Sequence, residues 1–344
     1  MCPRRARVSS TSTEGTCEVR LFPVRLHSHI FWGMRPQDPK TFPLCSIPGW
    51  SLVNPLVYEP LRRKLRQVSD EWFIKPTFVV GDRYHLATDG FWIAVEQPPY
   101  VLARRDWRVT ECIMNRLERL VQYMRYASKQ FTLIPRISRQ ALAGYELDQP
   151  PEPLLPTKGD ECYTARYALT TSLTKEDLEV VSQCDLAELP PTYDTMLLGA
   201  MQALHSANYG WAIVLSGVAI EHLALAKLRL EMEAKPGVVS EKDRREARLN
   251  DLLHRLRVKL SMPSLYCEKP VLYQEALTIY GQRNDILHGN VACDDNDWNT
   301  LRLSIRAVQC AVDIVAWFGE LGGYESPSGS HAVARSAHYP GRFG

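Results

Sequence analysis

The feature that most constrains this chain is the run from Trp211 to Ala234, which is largely apolar and set between Gly210 and the pair Pro236-Gly237. Its length would satisfy a membrane span, but Ser216, Glu221, His222, Lys227 and Arg229 lie inside it, and ionised groups in hydrocarbon are costly. The run is therefore read as a helix that other helices must bury on nearly all sides. The C-terminal half supplies them. Met196, Leu197, Ala200 and Leu204 share a stripe, and Gly210 marks a break before the long helix. After Pro236-Gly237, Ser240 caps a basic helix running to Leu260, with a seam of Leu249, Leu252, Leu253, Leu256 and Leu260. Two more helices follow, Val271 to His288 and Trp298 to Phe318, so that residues 187–320 form an up-and-down bundle.

The N-terminal part reads differently, which makes the fold class α+β. Residues 1–50 are rich in Pro, Ser and Arg and form a loosely ordered lead-in. Residues 51–186 make a mixed domain. Phe78-Val79-Val80, Tyr84 to Ala87 and Phe91 to Val95 are short strands of an antiparallel meander, with turns at Gly81-Asp82 and Asp89-Gly90. Thr110 opens an amphipathic helix whose Ile113, Met114, Leu117, Leu120, Val121 and Met124 share a face, with Arg116, Arg119 and Arg125 elsewhere on it. Pro150, Pro151, Pro153 and Pro156 interrupt regular structure in a loop. Trp72, Trp92 and Trp107 line a ligand pocket or simply fill the core of the small sheet. Residues 321–344, with Gly322-Gly323 and a Ser-rich stretch, are a disordered tail.

Charge excludes little but directs attention to local patches: 41 basic against 39 acidic residues in 344 give no global pull towards polyanions. The nine cysteines contain no C-x-x-C pair, which argues for free thiols in a reducing interior and against a structural zinc site. With no export signal recognisable near Met1, the expected location is cytoplasmic. No phosphate-cradling, dinucleotide, nucleophile-elbow or zincin signature occurs, so the commonest hydrolase and nucleotide chemistries lose their usual support, and no cofactor or metal is expected.

One segment carries chemistry: Arg283-Asn284-Asp285-Ile286-Leu287-His288-Gly289. A guanidinium is a permanent forked cation suited to phosphate, and an imidazole exchanges protons near neutral pH, so the pair can serve metal-free RNA cleavage. Arg-x(4–6)-His spacings recur by chance. Arg20 to His27 and Arg248 to His254 fit loosely as well. Context separates the Arg283 match from these: an Asn after the Arg, two apolar residues before the His, a Gly after it, and a place near the end of an amphipathic helix. The plain alternative is that Arg283 and His288 only cap and line a helix end.

In that context the segment resembles the HEPN superfamily, whose signature is R-x(4–6)-H with a polar residue often following the Arg. The runs Leu189 to Ala200, Asn208 to Ile213 and Val218 to Leu223 look like the first two helices of bacterial HEPN proteins, so the resemblance covers about 130 of the 344 residues. It implies a metal-independent endoribonuclease of a toxin or antiviral-defence system. Arg283, His288 and Asn284 would act in a composite site shared by a homodimer. It also implies that Glu221 faces the pair and holds Arg283 by a charge-assisted bond, with Asp285 as a second supporting residue; a plain surface Glu fits the sequence equally. The partners implied are RNA, a second copy, and an antitoxin or nucleotidyltransferase, with no membrane. The alternative is a non-catalytic bundle that binds nucleotide or RNA, or only dimerises.

Two further groups are weaker. Arg248 and Arg255 on the basic helix are candidate RNA contacts, but alternating signs on such a helix also describe a solvated face. Asp294, Asp295, Asn296 and Asp297 precede Trp298 and are read as N-terminal capping rather than a cation site, since they lack the EF-hand order.

Overall fold

The structure is a computed structural model that describes residues 20–35, 37–55, 78–80, 82–95, 107–137, 172–290 and 297–320. Its N-terminal part is a five-stranded antiparallel sheet: β1 (Arg20–Met34), β2 (Thr41–Pro43), β3 (Trp50–Val53), β4 (Phe78–Val80) and β5 (Arg83–Val95), in the order β1-β5-β3-β2, with β4 also on β5. Helices α1 (Trp107–Ser128) and α2 (Lys175–Gln183) belong to the same unit. Leu117, Leu120, Val121 and Met124 of α1 share a core with Trp32, Leu52 and Ile93 of the sheet. With the helices that follow, the architecture is α+β.

Several expectations need correction here. The segment expected as a loosely ordered lead-in contains β1 from residue 20 onward, and Val24, Leu26, Ile30, Trp32 and Met34 are buried at alternate positions. Pro23 is tolerated because, among the described strands, β1 lies at the edge of the sheet beside β5, and the isolated bridges to Ile137 and Leu173 fall further along it, at Leu26 and Trp32. Asp89-Gly90 is not a turn but the interior of β5, where the register with β1 slips between Arg25 and Ile30. Arg125, expected away from the apolar face of α1, is nevertheless not left to solvent. It is buried, donating to the Phe131 carbonyl at 3.1 Å and to Gln202 Oε1 at 3.0 Å. Trp92 is buried, though on the face of β5 opposite Phe91 and Ile93 and outside the core they share with α1, whereas Trp72, the side chain of Trp107, the Pro150 to Pro156 loop, residues 1–19 and residues 321–344 lie outside what is described.

The bundle is built on α3 (Thr192–His205), α4 (Tyr209–Ala234), α8 (Pro270–Leu287) and α9 (Trp298–Glu320). Between α4 and α8 stand α5 (Glu241–Glu246), a π-helical turn (Asp251–Arg255), α6 (Leu256–Lys259) and α7 (Leu265–Glu268). Among the described residues α4 is the one helix long and apolar enough to cross a membrane, and most of it is buried by its neighbours. The chain reverses before α4 at Ala207, with φ +57°, and Asn208 caps the helix. Gly210 thus falls in the first turn of α4 instead of breaking it. The expected continuous basic helix is also broken. Ala247 is extended, and the Asp251 carboxylate accepts the Arg248 N–H at 3.0 Å, closing one helix and seeding the next. Its leucine seam, Leu249 to Leu260, is nonetheless buried.

Three side-chain contacts set the register of the bundle. Arg283 of α8 meets Glu221 of α4, Glu275 near the start of α8 meets Arg306 of α9, and Glu268 of α7, just before α8, meets Trp317 of α9. Helix α8 is therefore antiparallel to α9, and together with the α4 contact this places the C-terminal end of α8, the start of α4 and the start of α9 at one end of the bundle.

The two cores meet along a seam. Lys129 and Asp194, both buried, form an ion pair at 3.1 Å. The Gln130 amide accepts the Phe31 N–H at 2.9 Å and donates to its carbonyl at 2.8 Å, taking the place of a neighbouring strand for β1.

Candidate active site

The Arg283 side chain is positioned by four things. Its stem lies on Gly217 of α4, where a Cβ would stand 3.1 Å from Arg283 Cβ and 3.2 Å from Cγ. A glycine inside a helix costs about 1 kcal/mol relative to alanine, so its use here buys the close approach of α8. One turn along α4, Glu221 Oε2 accepts from Nη1 at 3.0 Å, and Asn284 Oδ1 accepts from the same nitrogen at 3.2 Å. The guanidinium carbon stands 5.2 Å from the centroid of the Tyr280 ring, over its face. Nε is buried and bonded to nothing among the described residues. The Arg283 side chain as a whole is 17% exposed, so it is largely buried without being sealed from solvent.

His288 ends the helix. Its N–H bonds to the Asn284 carbonyl, Gly289 takes φ +71°, and the N–H groups of Gly289 and Asn290 return to the carbonyls of Ile286 and Asp285 at 3.1 and 2.8 Å. This Schellman turn needs the glycine and leaves the imidazole exposed. Arg283 and His288, five residues apart on one helix, are separated by ~7.5 Å of rise and ~140° of rotation, so they do not meet within one chain. Asp285 does not contact Arg283. Its carbonyl and carboxylate hold the turn through Asn290, the side-chain bond being 3.4 Å.

The other candidates fall elsewhere. Arg255 pairs with Asp251 at 2.8 Å, and Arg248 is exposed on the broken basic segment. His254 of the loosely matching pair is engaged structurally. Its Nδ1 lies 2.8 Å from Ser264 Oγ, its ring packs on Tyr266 and Tyr273, and burial, with Asp251 adding to it, pushes the Tyr273 hydroxyl up. Asp297 accepts from the Thr300 N–H, which makes it a cap; residues 294–296 lie outside the described chain. Among the described residues no three His, Cys, Asp or Glu side chains cluster as metal ligands, and Cys45, Cys112, Cys184, Cys267 and Cys310 are free thiols.

Gly217 and Tyr280 were not singled out in the sequence, although a glycine within an apolar helix is a signal of close helix contact. In comparisons with known proteins, no family model, no curated protein and no solved structure matches the chain.

Proposed function

We propose that the chain is a metal-independent endoribonuclease of HEPN type, acting as a homodimer in a toxin or antiviral-defence setting in the cytoplasm. The observation that carries this reading is a guanidinium held by Glu221 and Asn284 and not sealed from solvent, on the same helix as an exposed imidazole at its C-terminal end. One chain offers one base. Cleavage needs a group to take the 2′-OH proton and another to protonate the leaving 5′-oxygen, and a two-fold pairing that joins two such ends supplies both. The 2′-oxygen then bonds to phosphorus as the P–O5′ bond breaks. One His288 receives the 2′ proton, the protonated His288 of the partner subunit gives its proton to the 5′-oxygen, and Arg283 carries the charge that develops on the phosphate. The products are a 2′,3′-cyclic phosphate and a 5′-hydroxyl. The N-terminal unit serves as a sensing or inhibitory module, with an antitoxin or nucleotidyltransferase as a further partner.

The seating of Arg283 on Gly217 and Glu221 also favours a second reading, in which the ion pair only joins α4 to α8 and the bundle binds nucleotide or RNA, or dimerises, without cleaving. RNA cleavage in EDTA separates the two. The first reading expects activity that survives chelation and is lost in both His288→Ala and Arg283→Ala, with His288→Ala folding as the parent does because its side chain is exposed. A parent with no cleavage, or a His288→Ala variant as active as the parent, overturns it.

A further inference from the structure

We propose that Trp298 and Arg302 of α9 form a subsite for single-stranded RNA beside the scissile phosphate, the indole stacking an unpaired base and the guanidinium holding a neighbouring phosphate. The inference rests on the nuclease reading of Arg283 and His288 and names the substrate class of that site.

Trp298 is 67% exposed, which is unusual for the largest side chain. Arg302 follows one turn later on the same side of α9, also exposed, and holds no ion pair with any described residue. The next arginine along the helix, Arg306, is by contrast neutralised by Glu275 of α8 at 3.0 Å. The Arg306–Glu275 contact, with Trp317 of α9 on Glu268 of α7 further along, sets α9 antiparallel to α8, and carrying the Arg306–Glu275 register eight residues on brings Trp298 to about the level of Arg283 along the helix axis. The carboxylate preceding the ring, Asp297, is committed to the first turn of α9 through Thr300.

An aromatic face next to an unpaired cation is the pattern by which proteins hold single strands: the ring stacks on any base and the cation takes the backbone. The rise of four helical residues, ~6 Å, lets one side chain reach a base while the other reaches the adjacent phosphate. A duplex is a poor occupant, because its bases are already stacked and their faces covered. A second copy of the chain is also a poor occupant of this flank. A two-fold seam centred on Trp298 would draw Arg302 and its symmetry mate, two like charges, towards each other, whereas a polyanion neutralises both. Leu287 and Trp211, 51% and 53% exposed at the same end of the bundle, offer a two-fold seam apolar surface without Arg302.

The test uses the full chain and a fluorescently labelled single-stranded oligoribonucleotide of mixed sequence. Binding is read by anisotropy in a His288→Ala background, and cleavage is read in the active protein. Trp298→Ala is expected to weaken binding by about tenfold and to raise KM with kcat little changed, and Trp298→Phe to restore most of the loss. Arg302→Ala is expected to weaken binding and to lower its salt dependence by about one ion. The same RNA annealed to its complement is expected to bind much more weakly than the free strand. If the parent cleaves the oligonucleotide but Trp298→Ala binds and cleaves it as the parent does, this subsite is wrong and the nuclease reading stands. A Trp298→Ala variant whose sedimentation shows a changed oligomeric state assigns the ring to a protein seam and also overturns the subsite. A parent that neither cleaves nor binds RNA removes both.

Discussion

Gly217→Ala is the most exacting probe of how Arg283 is held. On propensity alone the substitution stabilises a helix by about 1 kcal/mol. Here the new methyl group meets Arg283 Cβ at 3.1 Å, Cγ at 3.2 Å and Cδ at 3.5 Å. Carbon atoms in comfortable contact stand about 3.5–4.0 Å apart, so the stem of Arg283 or the whole of α8 must withdraw by roughly half an ångström. Overpacking of this kind costs about 1–3 kcal/mol, which cancels or slightly outweighs the propensity gain. The net change in stability is therefore small. The effect on function is larger, because Glu221 sits on the same helix as the intruding methyl group and does not move away with Arg283. A displacement near an ångström costs about a hundredfold in well-aligned catalysis, so half of that distance is worth about tenfold in kcat. Urea denaturation gives the stability, and cleavage of a single-stranded RNA in EDTA gives kcat. A variant that gains the full propensity term and cleaves at the parental rate would refute the claim that Gly217 seats the arginine.

Two further predictions concern parts of the fold away from the site. Lys129→Met leaves the buried Asp194 carboxylate without its cation, an uncompensated charge that costs about 3–5 kcal/mol, whereas Lys129→Met combined with Asp194→Leu recovers most of that loss. Urea midpoints of the two single variants and the double variant measure this, and a Lys129→Met cost below about 1 kcal/mol would contradict burial of the pair. Burial pushes the Cys184 thiol up to about 11 from its ordinary 9.0, so at pH 8 Cys184 reacts with a thiol-specific disulfide reagent far more slowly than exposed Cys45 or Cys112. The folded chain keeps that proton where the unfolded chain loses it. Its contribution to stability is thus complete below pH 9 and disappears as pH rises through about 11, and Cys184→Ala removes that share of the alkaline slope. Equal reaction rates for the three thiols would contradict the burial.

What the sequence made legible was whatever a single period dictates. Helices α4, α8 and α9 were readable to within three residues, because their apolar spacing is helical and Pro236-Gly237, Pro270 and Gly289 punctuate the ends. Strand β1 was hidden by composition: its buried positions alternate, but His27, His29, Arg25 and Pro23 between them mimic a polar lead-in. The broken basic helix was hidden for a different reason. Helical periodicity continues through its leucines, while the break is made by one side-chain cap, Asp251 on the Arg248 N–H. The site divides along the same line. Arg283 and His288 are visible as a spacing because both lie on one helix, whereas Gly217 and Tyr280 matter only once α4 is laid against α8. A seat made by an absent side chain leaves no motif, since its meaning is set by the neighbour that fills the space. The same holds for Trp298: in the sequence it opens a helix like any apolar residue, and only its exposure beside an unpaired Arg302, at the end of the bundle that carries His288, separates it from the core.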